Sequence, residues 1–274
     1  MDITNFTVDT KTEKIECSLV SPKNPAKNAG ILLNISATRE YALHDPLQST
    51  PTIPFLEAGH YVLSFDLAHH GSRIKYPDTE GKELKGMALA LLDGNDPFEQ
   101  FINDGKAALD WCKAQNIAVN GRTVAYGVSR GAYCCLRLAA SDSRVSAIAG
   151  PSPVTTWNPV TEFSSTISQS LDLNKFDIQN WIDSLGEKAV YLSVGSQDNI
   201  VSTNACVDFS MKLFKHQKDV LPENILLNEL HVVDSPSHSP SIKSRLDATR
   251  FLLEHVNPSK TNTQIKDTLH KNSK

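Results

Sequence analysis

The 274-residue chain has no excess of basic charge and no long apolar run. Its 27 lysines and arginines are outnumbered by 31 aspartates and glutamates, for a net charge of −4. That balance argues against a nucleic-acid partner, which needs a basic footprint. It also removes the polybasic attraction to an anionic lipid surface. No stretch approaches the roughly 18 apolar residues of a membrane span, so neither nucleic acid nor membrane is an expected partner. The opening Met1-Asp2-Ile3-Thr4-Asn5-Phe6 carries neither the basic nor the apolar part of a secretory signal. Cysteine is sparse: five residues, an odd number, with Cys134 and Cys135 adjacent, do not make a disulfide framework. A reducing cytoplasm is the expected compartment.

What is present is an alternation of short β-branched runs with helix-like segments. It predicts an α/β fold with a mostly parallel central sheet and helices on both faces. The start differs: Asn5–Asp9 and Ile15–Val20 alternate apolar with polar and read as an antiparallel hairpin. Buried strands are expected at Gly30–Ile35 and Tyr61–Phe65, then at Thr123–Tyr126, Val145–Ala149, Ala189–Val194 and Ile225–Val233. Asp96-Pro97-Phe98-Glu99 is a helix start, with a capping Asp, Pro at the first helical position and Glu placed for a capping box. The helix that follows sets Phe98, Ile102, Leu109 and Cys112 on one side. Further helices are expected over Gly131–Ser141, Thr203–His216 and Ser241–His255. One domain, residues 1–258, accommodates these elements. The stretch 151–186 is rich in Ser, Thr, Asn and Pro and reads as a small cap-like insertion. Residues 259–274 form a polar, lysine-rich tail expected to be disordered.

The chemistry begins at Gly127-Val128-Ser129-Arg130-Gly131. An apolar strand runs into these residues and a helix-like run leaves them. A serine in that context sits on a tight strand-to-helix turn that holds its hydroxyl above the sheet edge. Flanking glycines let the two backbones approach. The new helix N-terminus, through the Arg130 N–H, can hold an oxyanion. The bland alternative makes Ser129 an ordinary helix cap.

A serine nucleophile needs a base and an orienting carboxylate, in the order serine, acid, histidine for a sheet of this kind. Asp198 lies in Gly195-Ser196-Gln197-Asp198-Asn199-Ile200-Val201, the loop at the carboxyl end of a strand, where ligands of open α/β sheets bind. Its structural alternative is an Asx-turn or a helix cap. Among nine histidines, His238 lies between the last strand and the last helix, where the base belongs. His231 falls inside a strand, and Asp234 is a lesser rival to Asp198. The second oxyanion N–H comes from Ser36-Ala37-Thr38, with Ala37 and Thr38 equally eligible. The pair His69-His70 has no companions at metal-ligand spacing and reads as a loop beside the pocket. The cysteines read as apolar filling. No metal or cofactor is called for.

With these residues in place, the chain resembles the α/β-hydrolase superfamily, in particular its dienelactone-hydrolase and prolyl-oligopeptidase-like branch, over residues 29–256. The resemblance is carried by Gly127–Tyr133, Gly195–Val201 and Ser237-His238-Ser239, and by Asp66–Arg73, which looks like a loop usually written Asp-x-x-Gly-His-Gly. The chain departs from the family at His69, where that glycine is usual, at Ala132 in place of a second elbow glycine, and at Ile35-Ser36 in place of His-Gly. The expected activity is hydrolysis of a small-molecule carboxylic ester through an acyl-enzyme. Two alternatives stand beside it: a small peptidase or aminopeptidase gripping a substrate amine through Glu162 or Asp172, and an inactive hydrolase fold used for binding. The pocket walls are expected from 151–186 and the loop near Asp93–Asp96. Oligomeric state is open.

Overall fold

A computed structural model describes residues 1–76, 79, 81–167, 170–221, 227–235 and 237–257. Among these residues, one eight-stranded sheet has the order β1-β2-β4-β3-β5-β6-β7-β8. Strands β1 (Asp2–Asp9) and β2 (Lys14–Ser21) form an antiparallel hairpin, and β2 pairs antiparallel with β4 (Tyr61–Phe65). From β4 through β3 (Ile31–Ile35), β5 (Thr123–Gly127), β6 (Val145–Pro151), β7 (Ala189–Gly195) and β8 (Asn228–Val233), every pairing is parallel. This is the architecture the alternating pattern predicts.

The strands β3, β5 and β7 are buried along their whole length, which is why they read as continuous apolar runs. Their side chains still alternate between two cores. Leu33, Ala125 and Leu192 join the core beneath α4 (Pro97–Ala114), α5 (Arg130–Ser141) and α8 (Thr203–Val220). Leu32, Val124 and Tyr191 join the other, against Phe251 and Leu252 of α9 (Ile242–Val256). The α4 start behaves as its residues dictate: Asp96 Oδ1 accepts from the N–H groups of Phe98 and Glu99. Glu99 differs from expectation. Its carboxylate takes a 2.7 Å hydrogen bond from Arg137, a charged partner that outcompetes the neutral amide of a capping box.

Three helices carry no strong sequence signature: α1 (Arg39–His44), α2 (Thr52–Glu57) and α3 (Glu83–Leu92). The first two are six residues each, too short to display a helical period. The excursion between β6 and β7 holds α6 (Thr161–Ile167) and α7 (Ile182–Leu185). Its aromatic residues, scattered in sequence, converge in space. Trp157 and Phe163 lie 4.2 Å apart between ring centroids, with Phe98 at 4.9 Å from Trp157. The Tyr133 hydroxyl donates to the Phe176 carbonyl at 2.7 Å. The excursion is thereby clamped onto α4 and α5. Residues 222–226 at the expected start of the last strand, and the tail 259–274, lie outside the described residues. No described helix is long and apolar enough to cross a membrane.

Candidate active site

Strands β3 and β5 are adjacent and parallel, with Ile35 opposite Gly127. The chain leaves β3 for β4 on one side, while β5 lies on the other. Their carboxyl ends therefore open a crevice at a topological switch point. The loop 36–38 and the turn 128–129 face each other across it.

The turn is severe. Ser129 has φ 58° and ψ −118°, a conformation a non-glycine residue holds only when its surroundings enforce it. Its N–H donates to the Pro151 carbonyl at 3.2 Å, and its own carbonyl accepts from Tyr133 and Val154. A β-carbon at Gly127 would come within 2.5 Å of the Gly131 oxygen, which accounts for glycine at 127. Ser129 occupies the cap position of α5, yet its hydroxyl makes no capping hydrogen bond. The ordinary-cap reading does not describe it.

The hydroxyl meets a histidine instead. Ser129 Oγ lies 2.8 Å from His238 Nε2, and His238 Nδ1 lies 2.9 Å from Asp198 Oδ2. A carboxylate at Nδ1 fixes the proton there and leaves the Nε2 lone pair for the serine hydroxyl. The Asp198 side chain is inaccessible to solvent. Its other oxygen accepts from the N–H groups of Ile200 and Val201 at 3.1 and 3.2 Å, so the Asx-turn and the histidine contact coexist on one carboxylate. Ser202, not Asp198, caps α8, by accepting from the Ala205 N–H. The cap also needs an unusual backbone, since Ser202 has φ 65°.

Around Ser129 is a cavity of about 360 Å³, walled by Ser36, Ala37, Tyr41, Gln48, Arg130, His238, Ser239, Pro240 and Arg245 among others. Arg130 begins α5, where backbone N–H groups lack helical acceptors. Ala37 lies in the wall. The Thr38 hydroxyl accepts from the Tyr41 N–H as the cap of α1, a bond that does not use the Thr38 N–H. Two bonds hold this loop: Leu67 N–H donates to the Ala37 carbonyl at 3.1 Å, and Arg39 N–H donates to Asp66 Oδ1 at 2.8 Å.

Several expectations change. Among the described residues, none of 151–186 or 93–96 lines this cavity; the aromatic clamp draws the excursion onto α4 and α5. Gly94, Asn95 and Asp96 instead line a separate cavity with His69. His69 and His70 are both buried. Burial, reinforced by nearby cations, pushes His69 down to about 4 and His70 to about 3, so both are neutral near neutral pH. His70 Nδ1–H donates to the Ala68 carbonyl at 2.8 Å. No described group of three or more His, Cys, Asp or Glu is placed to hold a metal. His231 stacks on Tyr191 and pairs with Glu229. Asp172 caps a 3₁₀ turn by accepting from the Asn174 N–H. A larger cavity, about 560 Å³, lies at the amino ends of the strands, near Ile31, Thr123 and Ala189, away from Ser129.

The sheet order, the strand-to-helix turn and the loop positions define the α/β-hydrolase fold, and solved structures agree. An esterase of Pyrococcus furiosus superposes with a TM-score of 0.64 at 18% identity, covering 93% of this chain and 92% of that one. A cold-adapted esterase from an Arctic intertidal metagenomic library gives 0.63 at 17%, covering 93% and 94%. The acylaminoacyl peptidase of Pyrococcus horikoshii gives 0.64 at 12%, covering 92% of this chain but 40% of the peptidase. At these identities the likeness is one of fold. No family model matches the sequence, and no curated protein matches it.

Proposed function

We propose that this protein is a serine hydrolase that cleaves carboxylic esters. The observation that carries the reading is the unbroken hydrogen-bonded line Ser129–His238–Asp198 at a strained turn beside a cavity. Ser129 Oγ attacks the ester carbonyl as its proton passes to His238 Nε2. Asp198 holds the imidazole orientation and stabilises the imidazolium. The Arg130 N–H and the N–H of Ala37 or Thr38 receive the oxyanion. When the tetrahedral intermediate collapses, the alkoxide leaves with the proton from His238. Water then attacks the acyl-enzyme by the same route in reverse, releasing the acid and restoring the serine. The reaction needs no cofactor.

A fluorophosphonate probe is expected to label Ser129, with the modified peptide located by mass spectrometry. Ser129→Ala is expected to lose roughly 10⁶-fold in kcat on a short-chain ester. A folded Ser129→Ala protein that keeps even a tenth of the activity overturns the assignment.

A peptidase is the second reading, favoured by the acylaminoacyl peptidase neighbour and by the carboxylates of Glu83 and Glu162, whose charges act on Arg130. Parallel assays of a short acyl ester and an aminoacyl amide separate the two.

A further inference from the structure

The cavity over Ser129 contains two arginines and no aspartate or glutamate among its lining residues. Four other arginines are answered by carboxylates. Arg39 pairs with Glu16 and Asp66, Arg73 with Glu13 and Asp104, Arg137 with Glu99, and Arg144 with Asp110 and Asp142. Arg130 and Arg245 form no ion pair among the described residues, and the Nε of each is buried without a partner.

Arg245 is 2% exposed. Its Nη1 donates only to neutral acceptors, the Leu47 carbonyl at 3.0 Å and the Tyr126 hydroxyl at 3.4 Å. Arg130 sits in a desolvated position that weakens its hold on its proton, and the charges of Glu83 and Glu162 offset this only from a distance. His70 lies within the field of Arg130 and is neutral, so it cannot answer the charge. A desolvated cation without a counter-ion is unfavourable. A guanidinium fork is shaped to take a carboxylate through two parallel hydrogen bonds.

We propose that the site takes small esters whose acyl portion carries a carboxylate, such as the half-esters of short dicarboxylic acids. The Arg130 guanidinium pairs with that carboxylate, and Arg245 keeps the cavity wall positive. Arg130 directly follows Ser129, so an acyl group bonded to Ser129 stays beside it through both half-reactions. The cavity, about 360 Å³, is at the small end of ligand pockets, roughly 300–1,000 Å³, which suits a short diacid. This inference rests on the ester-hydrolase reading of Ser129.

The test compares three ethyl esters: monoethyl succinate, its neutral analogue ethyl methyl succinate, and the cationic ethyl 3-aminopropanoate. Wild-type protein is expected to favour monoethyl succinate over the neutral diester in kcat/KM, by on the order of 10- to 100-fold. Because the readout is a ratio within one protein, a variant's overall activity does not bias it. Arg130→Met should collapse the ratio toward one, mainly through KM; Arg130→Lys should keep part of it, and Arg245→Met should lower it. Calorimetry with Ser129→Ala supplies a readout free of turnover: monoethyl succinate should bind more tightly than the neutral diester.

Equal or reversed preference in wild type, with esters still hydrolysed, overturns the carboxylate proposal and leaves the hydrolase reading intact. Preference for the aminopropanoate overturns it in favour of Glu83 and Glu162. If no ester is turned over and the fluorophosphonate fails to label, the hydrolase reading falls. Calorimetry then decides the carboxylate site alone, and equal or absent binding overturns it.

Discussion

Gly131 lies so close beneath the Ile35 carbonyl that a β-carbon built on it would come within 2.5 Å of that oxygen. The contact joins the first turn of α5 to the end of β3, and so sets the Arg130 N–H against the loop that contains Ala37. Gly131→Ala must push these two segments apart. We expect a loss in kcat on the order of 10²–10³-fold, the effect of one displaced oxyanion donor. Overpacking should add about 1–3 kcal/mol of destabilisation. Steady-state kinetics with a neutral ester and a thermal melt read the two effects. Wild-type kcat in this variant would show that the close approach is dispensable.

Asp198 has two separable duties, one on each oxygen. Asp198→Asn can keep an acceptor for the Ile200 and Val201 N–H groups while ceasing to orient His238 as a carboxylate does. Its kcat should fall by about 10⁴-fold with little change in melting temperature. Asp198→Ala should lose activity and also destabilise the fold by about 1–3 kcal/mol, because buried N–H groups lose their acceptor. Equal melting temperatures for the two variants would refute the second duty.

Stability should depend on pH through His69 and His70, with a further contribution from His60, whose pKa burial also lowers. His69 and His70 have folded pKa values held below the usual 6.5, at about 4 and about 3. As pH falls below 6.5 the unfolded chain takes up these protons and the folded chain does not, so stability is lost. The loss runs to about pH 4 for both residues and on to about pH 3 for His70. The slope is about 1.4 kcal/mol per pH unit for each histidine. Glu13 and Asp142, whose pKa values are lowered, extend the loss into the carboxylate range, while Asp104, raised by burial, opposes it. Denaturant unfolding between about pH 7 and pH 4.5 measures the slope. His70→Asn should cut it by about 1.4 kcal/mol per pH unit; an unchanged slope would remove His70 from the account.

The five cysteines should be inert in the folded protein. All are free and buried, and burial pushes the thiols of Cys17, Cys112, Cys134 and Cys206 up to about 12, with Cys135 well above its usual value. A thiolate-directed alkylating reagent should modify none of them until denaturant is added. Rapid native labelling at Cys134 or Cys135 would contradict the packing beneath α5.

The sheet was legible because five of its strands, β3 to β7, are buried on both faces and so appear as unbroken apolar runs. The turn at Ser129 was legible because its two glycines answer a steric demand made within a few residues of sequence. Asp198 and His238 could be picked out because loops at the carboxyl ends of parallel strands share one edge, and the structure brings both to Ser129. The choice between Ala37 and Thr38 was not legible, since an N–H carries no side-chain signature. The Thr38 hydroxyl caps α1, which leaves both backbone N–H groups eligible. The cavity walls were misjudged for a different reason. Trp157, Phe163 and Phe176 show no period, and only their convergence on Phe98 and Tyr133 reveals which way the excursion folds. That Arg130 and Arg245 form no ion pair among the described residues is likewise a property of three dimensions, since acidic residues are plentiful in the sequence.

The line through Ser129, His238 and Asp198 also has an order in time. His238 follows Ser129 by 109 residues and Asp198 by 40, and each arrives on a different unit of the sheet. A ribosome therefore releases the serine long before the imidazole that contacts it exists. Until β7 and β8 have added to the edge of β6, the Ser129 hydroxyl lacks its imidazole partner. Any chemistry that depends on this line requires the chain through His238, so turnover by a growing or truncated chain would report whether β7 and β8 have joined the sheet.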